Sequence, residues 1–152
     1  MNDLTERDRL QQIARTCAGI NLRRASQAIT NYYDGLFQPA FGLRATQIPP
    51  LVVLYLAGPQ TINEIAKRLD RDRTTLTRNL KPLEEAGLIR IAPGEDQRTR
   101  VVVLSEKGEK VLLKALPVWE KAQAHVVLGI GEERFRFLLT HLSNITELTR
   151  EE

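Results

Sequence analysis

Between Thr61 and Leu104 the sequence spells out two short helices and a hairpin with almost no slack between them. Thr61-Ile62-Asn63-Glu64 is a capping box, in which a Thr hydroxyl takes an early helical N–H and the Glu three residues on reaches back. Ile62, Ile65, Ala66 and Leu69 supply one apolar face, so a helix is expected over about 62–69. After a short break Asp72 is an N-cap for a second helix. Its stripe is Leu76, Leu80 and Leu83, continued by Ala86, and Gly87 suits the left-handed position that ends a helix. Pro82 falls inside this helix, removes the hydrogen bond to the Arg78 carbonyl and should bend or loosen its last turns. Leu88-Ile89-Arg90-Ile91 and Val101-Val102-Val103-Leu104 alternate as short strands around the turn-rich loop 92–100, which reads as a hairpin.

Two helices across a tight turn, followed by a hairpin, make a winged helix-turn-helix. In such motifs the second helix enters the major groove of DNA. The flanks are helical. From Leu4 to Phe37 one long helix is expected, with Leu10, Ile13, Cys17 and Ile20 as one stripe and Leu22, Ala25, Ile29, Tyr33 and Leu36 as a second. A helix of that length more often packs against another chain than forms a lone core. Pro39 and Gly42 are expected to end it. A further helix should start near Thr46, with Pro49 and Pro50 in a first turn whose N–H groups lack partners anyway, and stop at Gly58-Pro59. Ser105 caps the next helix, with Leu112, Ala115, Trp119, Ala122 and Val126 as its stripe and Pro117 as a kink. Phe135, Leu138, Leu142, Ile145 and Leu148 mark the last. The fold class is therefore mainly α with a small β-hairpin wing. We read 1–152 as a single domain, with a winged helix-turn-helix at 43–104 and helical dimerisation parts at 4–37 and 105–150.

Charge is concentrated where a groove-binding helix would lie. From Lys67 to Lys81 six basic residues (Lys67, Arg68, Arg71, Arg73, Arg78, Lys81) face two acidic ones, an excess of four, against a net charge of +3 for the whole chain. With Leu76, Leu80 and Leu83 inward, Thr74, Thr75, Arg78 and Lys81 lie on the other side. Thr hydroxyls near a helix start suit phosphates or a thymine methyl, and the Arg78 fork suits guanine. In the wing, Arg98 and Arg100 are placed to enter a minor groove, whose negative potential attracts Arg. Asp96, two residues before Arg98, is expected to orient its guanidinium. A solvated helix face and a solubilising hairpin tip are the plain alternatives.

These residues resemble the MarR family, the multiple-antibiotic-resistance-type regulators. The resemblance covers nearly the whole chain. It rests on Gly42-Leu43 and Thr46-Gln47, on Arg73-Thr74-Thr75-Leu76-Thr77-Arg78-Asn79-Leu80, on Leu83-Glu84-Glu85-Ala86-Gly87-Leu88-Ile89, on the wing Asp96-Gln97-Arg98-Thr99-Arg100 and on Leu104-Ser105-Glu106-Lys107-Gly108. Pro49-Pro50 departs from the family pattern. The resemblance implies a homodimer with intertwined terminal helices that binds double-stranded DNA at a pseudo-palindromic site. It further implies a repressor, released by a small ligand, often phenolic, or by oxidation. It puts recognition contacts at Thr74, Thr75, Thr77 and Arg78 and a wing contact at Arg98.

Organic-hydroperoxide regulators of that family carry a reactive Cys in the first long helix. Cys17, the single cysteine, thus has two readings, redox sensor or small hydrophobe on the Leu10, Ile13, Ile20 stripe. Tyr32, Tyr33 and Trp119 are packing residues or the lining of an effector pocket. One thiol excludes a disulfide framework within the chain, and with only His125 and His141 beside it no metal-ligand pattern forms, so no cofactor or metal is expected. No Gly-rich phosphate loop or Ser/His/Asp constellation points to an enzyme. The polar N-terminus has no apolar core of a secretory signal. The longest apolar run, Leu51 to Ala57, falls far short of the roughly 20 residues of a membrane span, and a cytoplasmic location is expected. A winged domain that has lost DNA binding and serves protein contacts is the alternative from another functional class.

Overall fold

The computed structural model describes residues 5–96 and 98–148. Leu4 at the expected start of the first helix, Gln97 of the wing and residues 149–152 lie outside the described residues. The elements run α1 (Glu6–Thr16), α2 (Ala18–Phe41), a 3-10 turn (Ala45–Gln47), α3 (Ile48–Ala57), β1 (Gln60–Thr61), α4 (Ile62–Arg68), α5 (Arg73–Glu85), β2 (Ile89–Pro93), β3 (Arg100–Leu104), α6 (Glu106–Ile130) and α7 (Glu132–Leu148). This is the expected class, mainly helical with a small wing. The chain divides into two compact units, Met1–Leu112 and Leu113–Glu152.

The first unit holds the winged helix-turn-helix. Both predicted caps form. The Thr61 hydroxyl takes the Glu64 N–H at 3.2 Å while Glu64 accepts from the Thr61 N–H at 2.7 Å. Asp72 accepts the Thr75 N–H at 2.8 Å. Leu76, Leu80 and Leu83 of α5 are fully buried against Leu51 and Leu54 of α3, Ile65 of α4 and Val102 of β3. Each such side chain contributes about 1.5–3 kcal/mol relative to exposure. Pro49 and Pro50 sit in the first turn of α3, as expected. Helix α5 continues through Pro82 to Glu85.

Three sequence expectations change. The long first helix is two, parted at Cys17, whose backbone is extended (φ −62°, ψ 118°). Asn21 bridges the break: its side-chain amide donates to the Arg15 carbonyl at 3.0 Å and to the Cys17 carbonyl at 2.9 Å, the latter also accepting the Asn21 N–H at 3.1 Å. Pro39 does not end α2, which runs on to Phe41 and stops at Gly42 in the left-handed region (φ 67°). The carbonyl that Pro39 leaves unpaired within the helix is that of Gly35, an exposed residue, where water can serve it. The hairpin also gains a third strand. Gln60 and Thr61 pair antiparallel with Val102 and Val101, so the order is β1-β3-β2 with β3 central.

The second unit comprises the remainder of α6, running through Pro117 without interruption, and α7, joined at Gly131 (φ 94°). Ala115 and Ala122 are buried, but α7 buries no residue, and Leu128, Phe137 and Leu148 are 79%, 58% and 70% exposed. Among the described residues no single helix is long and apolar enough to cross a membrane.

Candidate nucleic-acid interface

Helix α5 is positioned by its own two faces. Its three leucines are fully buried, and the opposite side is exposed from Arg73 to Lys81. Arg73, Thr74, Thr77, Arg78 and Lys81 together line one shallow open groove of about 320 Å³. Their spacing explains this, since successive residues turn through about 100° and these five fall within one side of the helix. The Thr77 hydroxyl donates back to the Arg73 carbonyl at 2.8 Å. Lys81 lies 3.8 Å from Glu85, an exposed pair worth little, so its ammonium is available to an anion.

Thr75 is not part of this groove. Its hydroxyl and its N–H are both engaged by Asp72, and together they hold the Asp72 carboxyl below its ordinary range. Thr75 therefore serves the helix start, and the basic groove begins beside it.

The turn that presents α5 is tight. Arg71 N–H returns to the Ala66 carbonyl at 3.0 Å, and Asp70 adopts a positive φ of 52°, a conformation that a short polar side chain tolerates better than most. Arg68 Nε donates to Gln60 Oε1 at 3.3 Å, tying α4 to β1.

In the wing Arg98 and Arg100 are exposed, with Arg100 opening β3 opposite Pro93. Asp96 does not grip the Arg98 guanidinium as expected. Its Oδ1 accepts from the Thr99 hydroxyl at 2.6 Å, the Thr99 N–H at 2.9 Å and the Arg98 N–H at 3.2 Å. The reason is local: an Asp carboxylate two or three residues before backbone donors closes a turn on them. The Thr99 hydroxyl, then its N–H, holds the Asp96 carboxyl below its ordinary range. Asp96 thus shapes the wing tip, and Arg98 leaves it unpinned. Gly94 is required here, because a Cβ would run into the Thr99 side chain.

Sequence reasoning missed the residues that fasten α5 to its surroundings. Glu84 accepts the Ile91 N–H of β2 at 3.2 Å. Ser105 and Lys107, at the start of α6, donate to the Gly87 and Ala86 carbonyls at 2.7 and 2.6 Å. The sequence signals were Ser105, read as a helix cap, and the run Leu104-Ser105-Glu106-Lys107-Gly108, which carried part of the family resemblance.

The other candidates lie elsewhere. Cys17 is half-buried at the α1–α2 break. Tyr32 and Tyr33 form an aromatic run along α2 with Phe37 and Phe41, ring centroids 5.8–6.4 Å apart. Burial, then Tyr32, pushes the Tyr33 hydroxyl up. Trp119 belongs to the second unit and is partly exposed.

Comparison with known proteins meets this geometry. A helix-turn-helix domain family matches residues 52–92. The chain is similar to the uncharacterized HTH-type transcriptional regulator YwoH of Bacillus subtilis, 41% identical over 46% of this chain and 51% of that one, so it spans about half the length of that relative. The fold is similar to the M. tuberculosis transcriptional regulator MosR in complex with DNA, with a TM-score of 0.76 and 37% identity over 88% of this chain and 98% of that one. It is also similar to a mutant of E. coli MarR complexed with operator DNA, with a TM-score of 0.78 and 19% identity over 88% and 96%.

Proposed function

Because this chain belongs to the MarR family of winged helix-turn-helix transcriptional regulators, a class without enzymatic activity, we propose that it binds double-stranded DNA as a homodimer and represses transcription from a pseudo-palindromic operator. One observation carries the reading. The exposed side of α5 gathers Arg73, Thr74, Thr77, Arg78 and Lys81 into one groove while its other side is locked into the core. Arg78 reads a base, Arg73 and Lys81 take phosphates, and the two threonines offer methyl and hydroxyl contacts. Thr75 contributes by holding the helix start. Arg98 and Arg100 of the wing follow the adjacent minor groove, and Asp96 sets the shape of the tip that carries them.

A homodimer is supported by the apolar residues that a single chain leaves in water. Leu10 and Ile13 of α1 and Leu128, Phe137 and Leu148 of the second unit are all exposed, more apolar surface than single scattered residues would present. A small ligand, phenolic by family resemblance, is the proposed release signal. A second reading, oxidation of Cys17, is favoured by its place at the α1–α2 break, where a modified side chain would act on a junction held by Asn21. Cys17→Ser would then bind DNA normally and ignore peroxide, and a wild type equally indifferent to peroxide removes this reading.

The test is selection of bound fragments from random genomic DNA, followed by titration of the best fragment at several salt concentrations. Half-sites about one helical turn apart and an affinity falling steeply with salt, through counterion release, are the expected result. A flat salt dependence refutes the proposal. No enrichment at low salt would favour a winged domain that contacts protein.

A further inference from the structure

The C-terminal exit of α5 is held by an unusual concentration of donors. The helix closes on itself first: Leu88 N–H reaches back to the Leu83 carbonyl and Gly87 N–H to the Glu84 carbonyl, both at 2.9 Å, with Gly87 in the left-handed region at φ 71°. The carbonyls of the next three residues each meet a donor from the start of α6. Lys107 Nζ takes Ala86 at 2.6 Å, Ser105 Oγ takes Gly87 at 2.7 Å and Ser105 N–H takes Leu88 at 3.0 Å. The Ser105 hydroxyl works twice, since it also accepts the Gly108 N–H at 3.0 Å as the N-cap of α6. Gly108 is the residue that permits the approach: a Cβ there would overlap the Leu88 carbonyl and the Leu104 side chain.

These contacts make the end of α5 and the beginning of α6 one body. Glu84, through its bond to Ile91 N–H, attaches the base of the wing to the same body. Lys107 is the charged member. Its ammonium sits at the negative end of the α5 dipole, and its bond to Ala86 is of the charge-assisted kind, roughly twice as strong as a neutral one.

We propose that Lys107 is a positioning residue for DNA recognition: by fixing the exit of α5 it sets the angle at which Arg73, Arg78 and Lys81 are offered to DNA, without touching the DNA itself. This rests on the DNA-binding reading of α5. Base contacts tolerate little misplacement, so a loosened exit should weaken specific binding even when every contact residue is intact.

The experiment compares the full chain with Lys107→Met, Lys107→Arg and Lys81→Ala on one selected operator fragment, titrated across salt concentrations. Lys107→Met should bind a few-fold more weakly, since the bond it loses is exposed and screened, with the slope of log affinity against log salt unchanged. Lys107→Arg should restore most of the affinity. Lys81→Ala should instead lower the slope by about one, the signature of a lost phosphate contact. Amide hydrogen exchange on the free proteins gives a DNA-independent readout: Lys107→Met should exchange faster at residues 83–91 and not in α4. Wild-type affinity in Lys107→Met overturns the proposal whatever its exchange, and so does a loss accompanied by a lower slope, which would make Lys107 a phosphate contact. Wild type failing to bind any fragment refutes the DNA reading, and this one with it; wild type binding while Lys107→Met is unaffected refutes this one alone.

Discussion

The winged part of the first unit and the helices at the two ends of the chain use similar residues in opposite ways. In the winged part Leu51, Leu54, Ile65, Leu76, Leu80, Leu83 and Val102 are withdrawn from water completely. In the end helices apolar residues such as Leu10, Ile13, Phe137 and Leu148 stay exposed, and neither α1 nor α7 buries a single residue. One region has a core within a single chain. The other leaves apolar residues exposed along its helices. The difference teaches that apolar periodicity identifies a face without identifying what covers it.

The largest effect should come from breaking the second kind of face. Leu10 is 66% exposed, so Leu10→Glu combined with Leu148→Glu costs a lone chain almost nothing. In a homodimer the same pair places charges at an apolar interface. Sedimentation of the double variant should show monomer at concentrations where wild type is a dimer, and its melting temperature should lose its dependence on protein concentration. A variant that remains dimeric shows that these helices do not form the interface.

Leu80→Ala breaks the first kind. Leu80 is fully buried in the winged core, and its truncation should lower stability by about 2–5 kcal/mol through lost burial and the cavity left behind. Chemical denaturation measures it. The contrast lies in oligomeric state: Leu80→Ala should weaken the fold and leave the folded fraction dimeric. A loss well under 1 kcal/mol would mean that the core repacks around the gap.

Arg78→Ala separates the two faces of a single helix. The residue is exposed and lines the basic groove, so the melting temperature should not move. Specific DNA affinity should fall by about 1–3 kcal/mol, with relaxed preference at the base pair it reads. An equal loss on specific and random DNA would make Arg78 a phosphate contact.

The parts legible in the sequence were those whose cause lies within a few residues. The Thr61–Glu64 box, the Asp72 cap, the Leu76-Leu80-Leu83 stripe and Gly87 are local signals, and each helix they imply is present. What escaped depends on partners distant in sequence or on side chains that compete with the backbone. The Asn21 amide spans a break in a helix whose apolar pattern runs straight through Cys17. Strand β1 is two residues long and exists because Val101 and Val102 come to it from forty residues away. Of the basic groove, Arg73, Thr74, Arg78 and Lys81 were singled out by charge and helical spacing, and Thr77 only by the family resemblance. Thr75 lies outside the groove because its N-cap claims it, and the Ser105 and Lys107 ties to α5 span 18 and 21 residues, beyond any periodic signal.

The smallest expected effect concerns acid. Glu64, Asp72 and Asp96 all lie in the winged part, and all three carboxyls are held below their ordinary range: Glu64 by the Thr61 N–H and then its hydroxyl, Asp72 by the Thr75 hydroxyl and then its N–H, Asp96 by the Thr99 hydroxyl and then its N–H. A carboxyl whose folded pKa is depressed stabilises the fold fully above its unfolded pKa. That contribution is lost as pH falls through the depressed value. Acid should therefore loosen the α4 and α5 starts and the wing tip. Asp72→Asn discriminates, because Asn is as good an N-cap as Asp but does not titrate. At pH 7 the variant should melt close to wild type, and between pH 5 and the depressed range its stability should fall less steeply. Because these groups are fully exposed the difference is small, and it is best read from amide exchange in the first turn of α5 across a pH series corrected for intrinsic rates. An Asn variant that follows the wild-type acid profile in that turn would show that the Asp72 charge adds nothing to the cap beyond its geometry.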